Sequence, residues 1–140
     1  MAKIFVSGQI TDLDNVRTVQ QRLIEAGHVI THDWTRNETG DKMLAGNEAK
    51  LANIHETGRR AELDIQGVVD CDVYVVCTDN TKAGKGMYAE LGAALALNVT
   101  RQSPKILMLG SLNHMSVFYF HPSVVHLNSI DELIEALKLR

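Results

Sequence analysis

Residues 64–98, DIQGVVDCDVYVVCTDNTKAGKGMYAELGAALALN, read as a helix end, a buried strand, a glycine-bearing loop and a second helix. The run VYVVC over residues 73–77 is apolar without alternation, as expected of a strand covered on both faces by helices. It therefore reads as a central strand of a parallel sheet. TDNTKAGKG, residues 78–86, is polar and glycine-rich, a loop at the carboxyl edge of that strand, where open α/β sheets place their ligands. GMYAELGAALALN then carries Ala and Leu at helical spacing with Gly92 as its one breaker. A helix is expected from near Gly86, with Glu90 in its first turn or so.

Two carboxylates are placed by this reading. Asp64 lies eight residues before Asp72, which at about 1.5 Å per residue is roughly 12 Å back along the preceding helix. That helix runs antiparallel to the strand, so Asp64 and Glu90 converge on the carboxyl edge while Asp72 stays at the other. A carboxylate pair at a ligand edge suits glycosidic cleavage: one attacks the anomeric carbon, the other protonates the leaving group or activates the acceptor. The simpler reading makes Glu90 a favourable charge at a helix N-terminus and Asp64 a solvated helix residue.

The pattern DIQGVVDCDVYVV, a short loop and GMYAELGAALAL resembles the nucleoside 2-deoxyribosyltransferase family and its relatives, the 2'-deoxynucleoside 5'-monophosphate N-hydrolases. The resemblance covers most of residues 3–138, is sharpest over 64–97 and vaguest over 35–58. It implies that Asp64 is the acid/base and Glu90, in a Gly-x-x-x-Glu-Leu-Gly turn, the nucleophile; Asp72 matches a structural Asp that opens the strand. It implies cleavage or transfer at the N-glycosidic bond of (2'-deoxy)nucleosides through a glycosyl-Glu intermediate, in nucleotide salvage, with no metal or organic cofactor. Two positions depart from the pattern. Phe5 stands where the family often has a Tyr whose hydroxyl orients the Glu. Gly84 stands where transferases commonly carry an Asp for the sugar 5'-hydroxyl and the monophosphate hydrolases a Ser for the phosphate. Lys82 and Lys85 favour a phosphate electrostatically, yet lysines also occur in any soluble loop, so nucleoside and 5'-monophosphate both stay open. Phe5 and Gly84 also keep open a noncatalytic nucleotide-binding sensor on the same scaffold.

The rest of the chain fits one α/β domain over residues 1–140: a three-layer flavodoxin- or Rossmann-like fold with a five-stranded parallel sheet in the order 2-1-3-4-5. KIFVS, residues 3–7, is the first strand. The QITDLDN loop follows, with Asp12 or Asp14 as N-cap, then a helix with Val16, Val19, Leu23 and Ile24 on one face that closes at Gly27. This strand, glycine turn and helix start suit a sugar or phosphate, or are simply a tight turn. The resemblance sets Ser7, Gly8, Gln9 and Ile10 against the sugar, with Gly8 at the close-approach position.

HVITHDW, residues 28–34, reads as the second strand. Its two histidines share a face but lack a third ligand, a poor case for metal. Trp34, the single tryptophan, either stacks on a base or caps the core. Residues 47–70 are helical, capped at Asn47 and interrupted at Gly58, with Ala61, Ile65, Val68 and Val69 inward; Arg59 and Arg60 read as solvated charges or as a lure for an anion. PKILML, residues 104–109, and HPSVVHL, residues 121–127, are the last strands, and a helix capped near Ser129 closes the chain.

In the family, a turn similar to LNHMS reaches into the neighbouring subunit's site. The resemblance thus adds Asn113, Met115 and Ser116 to Trp34, Gly84, Lys85 and Gly86 as substrate-binding positions, in a homodimer or higher homo-oligomer with shared active sites. The alternative is a surface turn whose Met115, Val117, Phe118, Tyr119 and Phe120 fill the core. A formal net charge of -3 argues against a nucleic-acid partner. No apolar run reaches transmembrane length and no signal peptide is visible, so a cytoplasmic protein without a membrane partner is expected. Cys71 and Cys77 read as buried free thiols. A flavodoxin-like FMN carrier finds little support, because few aromatics lie near the candidate loops.

Overall fold

The structure, a computed structural model, describes residues 1–37, 46–79, 85–112 and 115–138. Five strands, β1 (Lys3–Ser7), β2 (Val29–Ile30), β3 (Val73–Cys77), β4 (Lys105–Leu109) and β5 (Val124–Leu127), form one parallel sheet in the order β2-β1-β3-β4-β5. The helices are α1 (Leu13–Glu25), α2 (Asn47–Ala52), α3 (Ile54–Asp70), α4 (Lys85–Arg101) and α5 (Ile130–Lys138). All five residues of β3 are buried, which is why its sequence does not alternate.

The pleat divides the interior into two apolar layers. Ile4, Val6, Val73, Val75, Leu107 and Leu109 pack with Val16, Val19 and Leu23 of α1 and with Leu133 and Leu137 of α5. On the other face Phe5, Tyr74, Val76, Ile106 and Met108 pack with Val68 of α3 and with Met87, Leu91 and Ala94 of α4. Trp34 touches both layers. Asp72 ties the amino edge, accepting from Lys3 N at 3.0 Å while its own amide donates to Lys3 O at 2.7 Å. Cys71 and Cys77 are buried and free, with Cys71 pushed up to about 12 by burial. No helix among the described residues is long and apolar enough to cross a membrane.

Several local expectations are corrected. The second strand is only two residues long, because the Asp33 carboxylate accepts from the Thr35 amide at 3.0 Å and curls residues 34–37 into a 3-10 turn. Asp12 occupies the α1 N-cap position without a capping bond; its carboxylate accepts instead from Asn15 Nδ2. Gln20 takes the buried place expected of Ile24, which is 49% exposed. The helical break falls at Asn53 and leaves Gly58 inside α3. Ser129 does cap α5, accepting from Glu132 N, while Glu132 Oε2 accepts from Asn128 N.

The inward face of α3 is turned relative to expectation. Gly67 and Val68 are buried, with Leu63 and Asp64 half-buried, whereas Ala61 is exposed, Ile65 is 42% exposed and Val69 is half-buried. Gly67 is the cause: a Cβ there would lie 2.8 Å from Phe5 Cδ2 and 2.9 Å from His32 Cβ, so the helix approaches the sheet along its glycine. That rotation turns Asp64 toward the sheet. Gly67→Ala should therefore lower the urea midpoint, since overpacking of about 1–3 kcal/mol outweighs the gain in helix propensity of about 1 kcal/mol. Gly58→Ala, with nothing within 4 Å of the added methyl, should raise it by the propensity gain alone. Equal midpoints for the two variants would contradict the close approach.

Candidate active site

The site lies at the carboxyl edge of β1 and β3, on the α3 and α4 face. Ser7 ends β1 and is fully buried; its hydroxyl donates to Glu90 Oε1 at 2.7 Å. Glu90 is the sixth residue of α4, early in its second turn, close to where it was expected, and is 8% exposed. Asp64 comes in from α3, and its charge acts on Glu90. His32, just beyond β2, places Nε2 3.5 Å from Asp64 Oδ1, and these two side chains are 20% and 30% exposed. The arrangement thus grades from a dry carboxyl inside to a partly solvated carboxylate–imidazole pair at the rim.

Burial dominates the electrostatics of Glu90. It pushes the carboxyl up to about 8, the Ser7 hydrogen bond opposes that rise, and the Asp64 charge adds to it. Burial also lowers His32, with Asp33 pulling the other way and Arg59 adding to the fall, so His32 is a neutral imidazole near pH 7. Glu90 thus holds its proton more tightly than an ordinary carboxyl.

The other expected positions divide. Gly8 is a close-approach residue, but toward α1: a Cβ would meet Val16 Cγ2 at 2.6 Å. Gln9 accepts from Thr11 Oγ1, and Ile10 is 53% exposed on the 3-10 turn that follows β1. Trp34 donates from Nε1 to Val6 O at 2.8 Å and packs on both apolar layers, an anchored role that agrees with core capping. Lys85 and Gly86 are the exposed first residues of α4. Arg59 and Arg60 both bond Glu56, whose carboxyl Arg59 first and Arg60 second hold down to about 2. Lys82, Gly84 and Asn113 lie outside the described residues.

The segment after β4 overturns the core-filling alternative. Tyr119 alone of its cluster is buried; Met115, Val117, Phe118 and Phe120 are 56–79% exposed. Met115, Ser116 and Phe118, with Tyr88 and Gly92 of α4, line a groove of ≈ 500 Å³. A second cleft of ≈ 540 Å³, between Arg17, Gln21 and Arg36, follows α1 on the other side of the sheet from Glu90. His28 Nδ1 accepts from Ala2 N, apart from His32, and among the described residues no group of three or more His, Cys, Asp or Glu is arranged to hold a metal.

No family model and no curated protein matches the sequence. Among solved structures, that of Clostridium botulinum CMP N-glycosidase, BcmB, aligns over 99% of this chain and 99% of its own, with a TM-score of 0.54 and 16% identity. That likeness shows the fold alone, and the sheet order β2-β1-β3-β4-β5 is the one expected from the sequence.

Sequence reasoning missed His32 as the neighbour of Asp64 and Ser7 as the partner of Glu90. The period of two, which sets Ser7 on the same face as Phe5, was the available signal for Ser7. A stability prediction follows from Glu90. Its folded value lies above the usual 4.5, so its contribution is fully present below about 4.5 and is lost as pH rises to about 8. The Tm advantage of Glu90→Gln over the parent should thus widen from pH 5 to pH 8 and level off beyond. A gap that stays constant with pH would contradict the buried carboxyl.

Proposed function

We propose that the chain cleaves the N-glycosidic bond of a (2'-deoxy)nucleoside or its 5'-monophosphate, with Glu90 as nucleophile and Asp64 as acid/base. The observation that carries this reading is the buried Glu90–Ser7 bond: one carboxylate oxygen is held, and the other remains for attack. Glu90 Oε2 bonds C1' as the C–N bond breaks, and the proton of Asp64 goes to the departing base. Water then attacks C1' of the glycosyl ester and gives its proton to Asp64. Sugar is released with retained configuration, and the Glu90 carboxylate is restored. An acceptor base in place of water gives transfer.

The positive charge that develops on the sugar offsets the cost of ionising Glu90 in its dry surroundings, so the interaction is strongest in the transition state. The structural neighbour is by its name a CMP N-glycosidase, which favours a 5'-monophosphate as substrate and water as acceptor. Because Glu90 also holds its proton tightly, an exchange of roles with Asp64 is the competing reading. Trapping with a 2'-fluoro substrate analogue and peptide mapping should find the sugar on Glu90; sugar on Asp64 would establish the exchange.

Base release should be measured by chromatography on deoxynucleosides, ribonucleosides and their 5'-monophosphates, with and without an acceptor base. Free base from a monophosphate is expected, and Glu90→Ala should reduce it by at least about 10³-fold. The acid limb of kcat/KM should have its midpoint near the Glu90 value of about 8. Ligand binding without turnover across the panel would establish the sensor reading.

The exposed Met115, Val117, Phe118 and Phe120 support a homodimer in which this segment meets a second copy. Phe118→Asp should shift sedimentation from dimer to monomer. A parent chain that is monomeric at micromolar concentration would end that reading.

A further inference from the structure

His32 does not point where a strand would send it. Ile30, the last residue of β2, packs on the α1 and α5 layer, and Thr31 turns the other way, its hydroxyl donating to Gly67 O of α3 at 2.8 Å. Strict alternation would return His32 to the α1 side. The chain bends at Thr31, ahead of the turn made by Asp33, and His32 follows Thr31 onto α3 instead. Its Cβ sits 2.9 Å from where a Cβ on Gly67 would stand, so the missing side chain is the room it occupies. Asp64 lies three residues earlier on the same face of α3, and the imidazole reaches it. Nε2 is 3.5 Å from Asp64 Oδ1, with the two side chains 20% and 30% exposed.

We propose that His32 is a positioning residue for Asp64: its Nε2–H holds Oδ1 and leaves Oδ2 to carry the proton exchanged with the base. This rests on the reading of Asp64 as the acid/base. A separation of 3.5 Å is longer than a hydrogen bond, and catalytic contacts of this kind tighten in the substrate complex. When the base departs with the Asp64 proton, the negative charge left on Asp64 is what the N–H meets, so the contact is worth most in the transition state. His32 keeps its own proton throughout. Its neutrality matters, because a cation at this distance would hold Asp64 ionised, with no proton to give. Burial keeps the imidazole neutral; Asp33 pulls against it and Arg59 reinforces it. The other charged groups around the pair are Arg36, bonded to Asp33, Glu56, bonded to Arg59 and Arg60, and Glu90 of α4.

His32→Leu removes the donor at similar bulk, and His32→Gln keeps an amide N–H at similar reach. His32→Leu should lower kcat about tenfold, the size expected of one hydrogen bond to a charged group, with little change in KM. His32→Gln should recover most of that loss. Without substrate, the ¹³C carboxyl titration of Asp64 should move to higher pH in His32→Leu, because the ionised form has lost a donor, and stay near the parent's in His32→Gln. A His32→Gln variant as slow as His32→Leu, or an Asp64 titration that His32→Leu leaves in place, would overturn the proposal. If the protein releases no base at all, the functional reading fails while the titration still decides the contact. Should His32→Leu not fold, Asp64→Ala reads the contact from the other side: the two ring ¹⁵N shifts of His32, which report its share of the Nε2–H tautomer, should draw together. Shifts unchanged by Asp64→Ala would overturn the proposal equally.

Discussion

Glu90 keeps its carboxyl in the apolar layer between the sheet and α4, with the Ser7 hydroxyl 2.7 Å from one oxygen. Placing an ionisable group there is costly unless it is hydrogen-bonded or neutral. The structure answers with both: one short hydrogen bond, and a raised affinity for the proton. Much of the surrounding geometry follows from this one constraint. Ser7 must end β1 facing α4, and α4 must enter so that its second turn, not its exposed first residues, meets the strand.

The closeness of α3 has its own cause. Gly67 lets that helix rest on the Phe5 ring and the His32 Cβ, and Thr31 Oγ1 bonds Gly67 O at 2.8 Å on the same contact. With the helix seated there, Asp64 lies beside His32 at the sheet edge, with its side chain 30% exposed. One carboxyl is thereby dry and the other partly wet, although both are ordinary acidic residues in the sequence. Environment, not identity, is what raises the proton affinity of Glu90.

The two faces of the sheet divide their tasks. The α1 and α5 side is closed by aliphatic packing among Val16, Val19, Leu23, Leu133 and Leu137. The other side holds the polar array, its aromatic stack and, after β4, a row of exposed apolar residues. That row adjoins Tyr88 and Gly92 of α4, two and two residues from Glu90 in either direction. A partner seated there would touch the helix that carries the candidate nucleophile.

Legibility differed by the kind of signal. The unbroken VYVVC run, the Ala- and Leu-rich helix after it and the glycine at the end of α1 read correctly, because burial on both faces and chain breaking are local properties. The strand expected over residues 28–34 shrank to two residues because Asp33 turns the chain, and the buried face of α3 rotated because a missing Cβ outweighed the pull of Ile65. Hydrophobicity read along a helix does not register either effect. By itself, then, the sequence determined the βα order, the central strand and the convergence of Asp64 and Glu90 on one edge, since these follow from periodicity and chain direction. Only the tertiary structure decided that Ser7 holds Glu90, that His32 adjoins Asp64 and that Tyr74 lies beside Phe5. Those contacts join residues 32 to 83 positions apart that meet through strand register and helix approach, which no local pattern encodes.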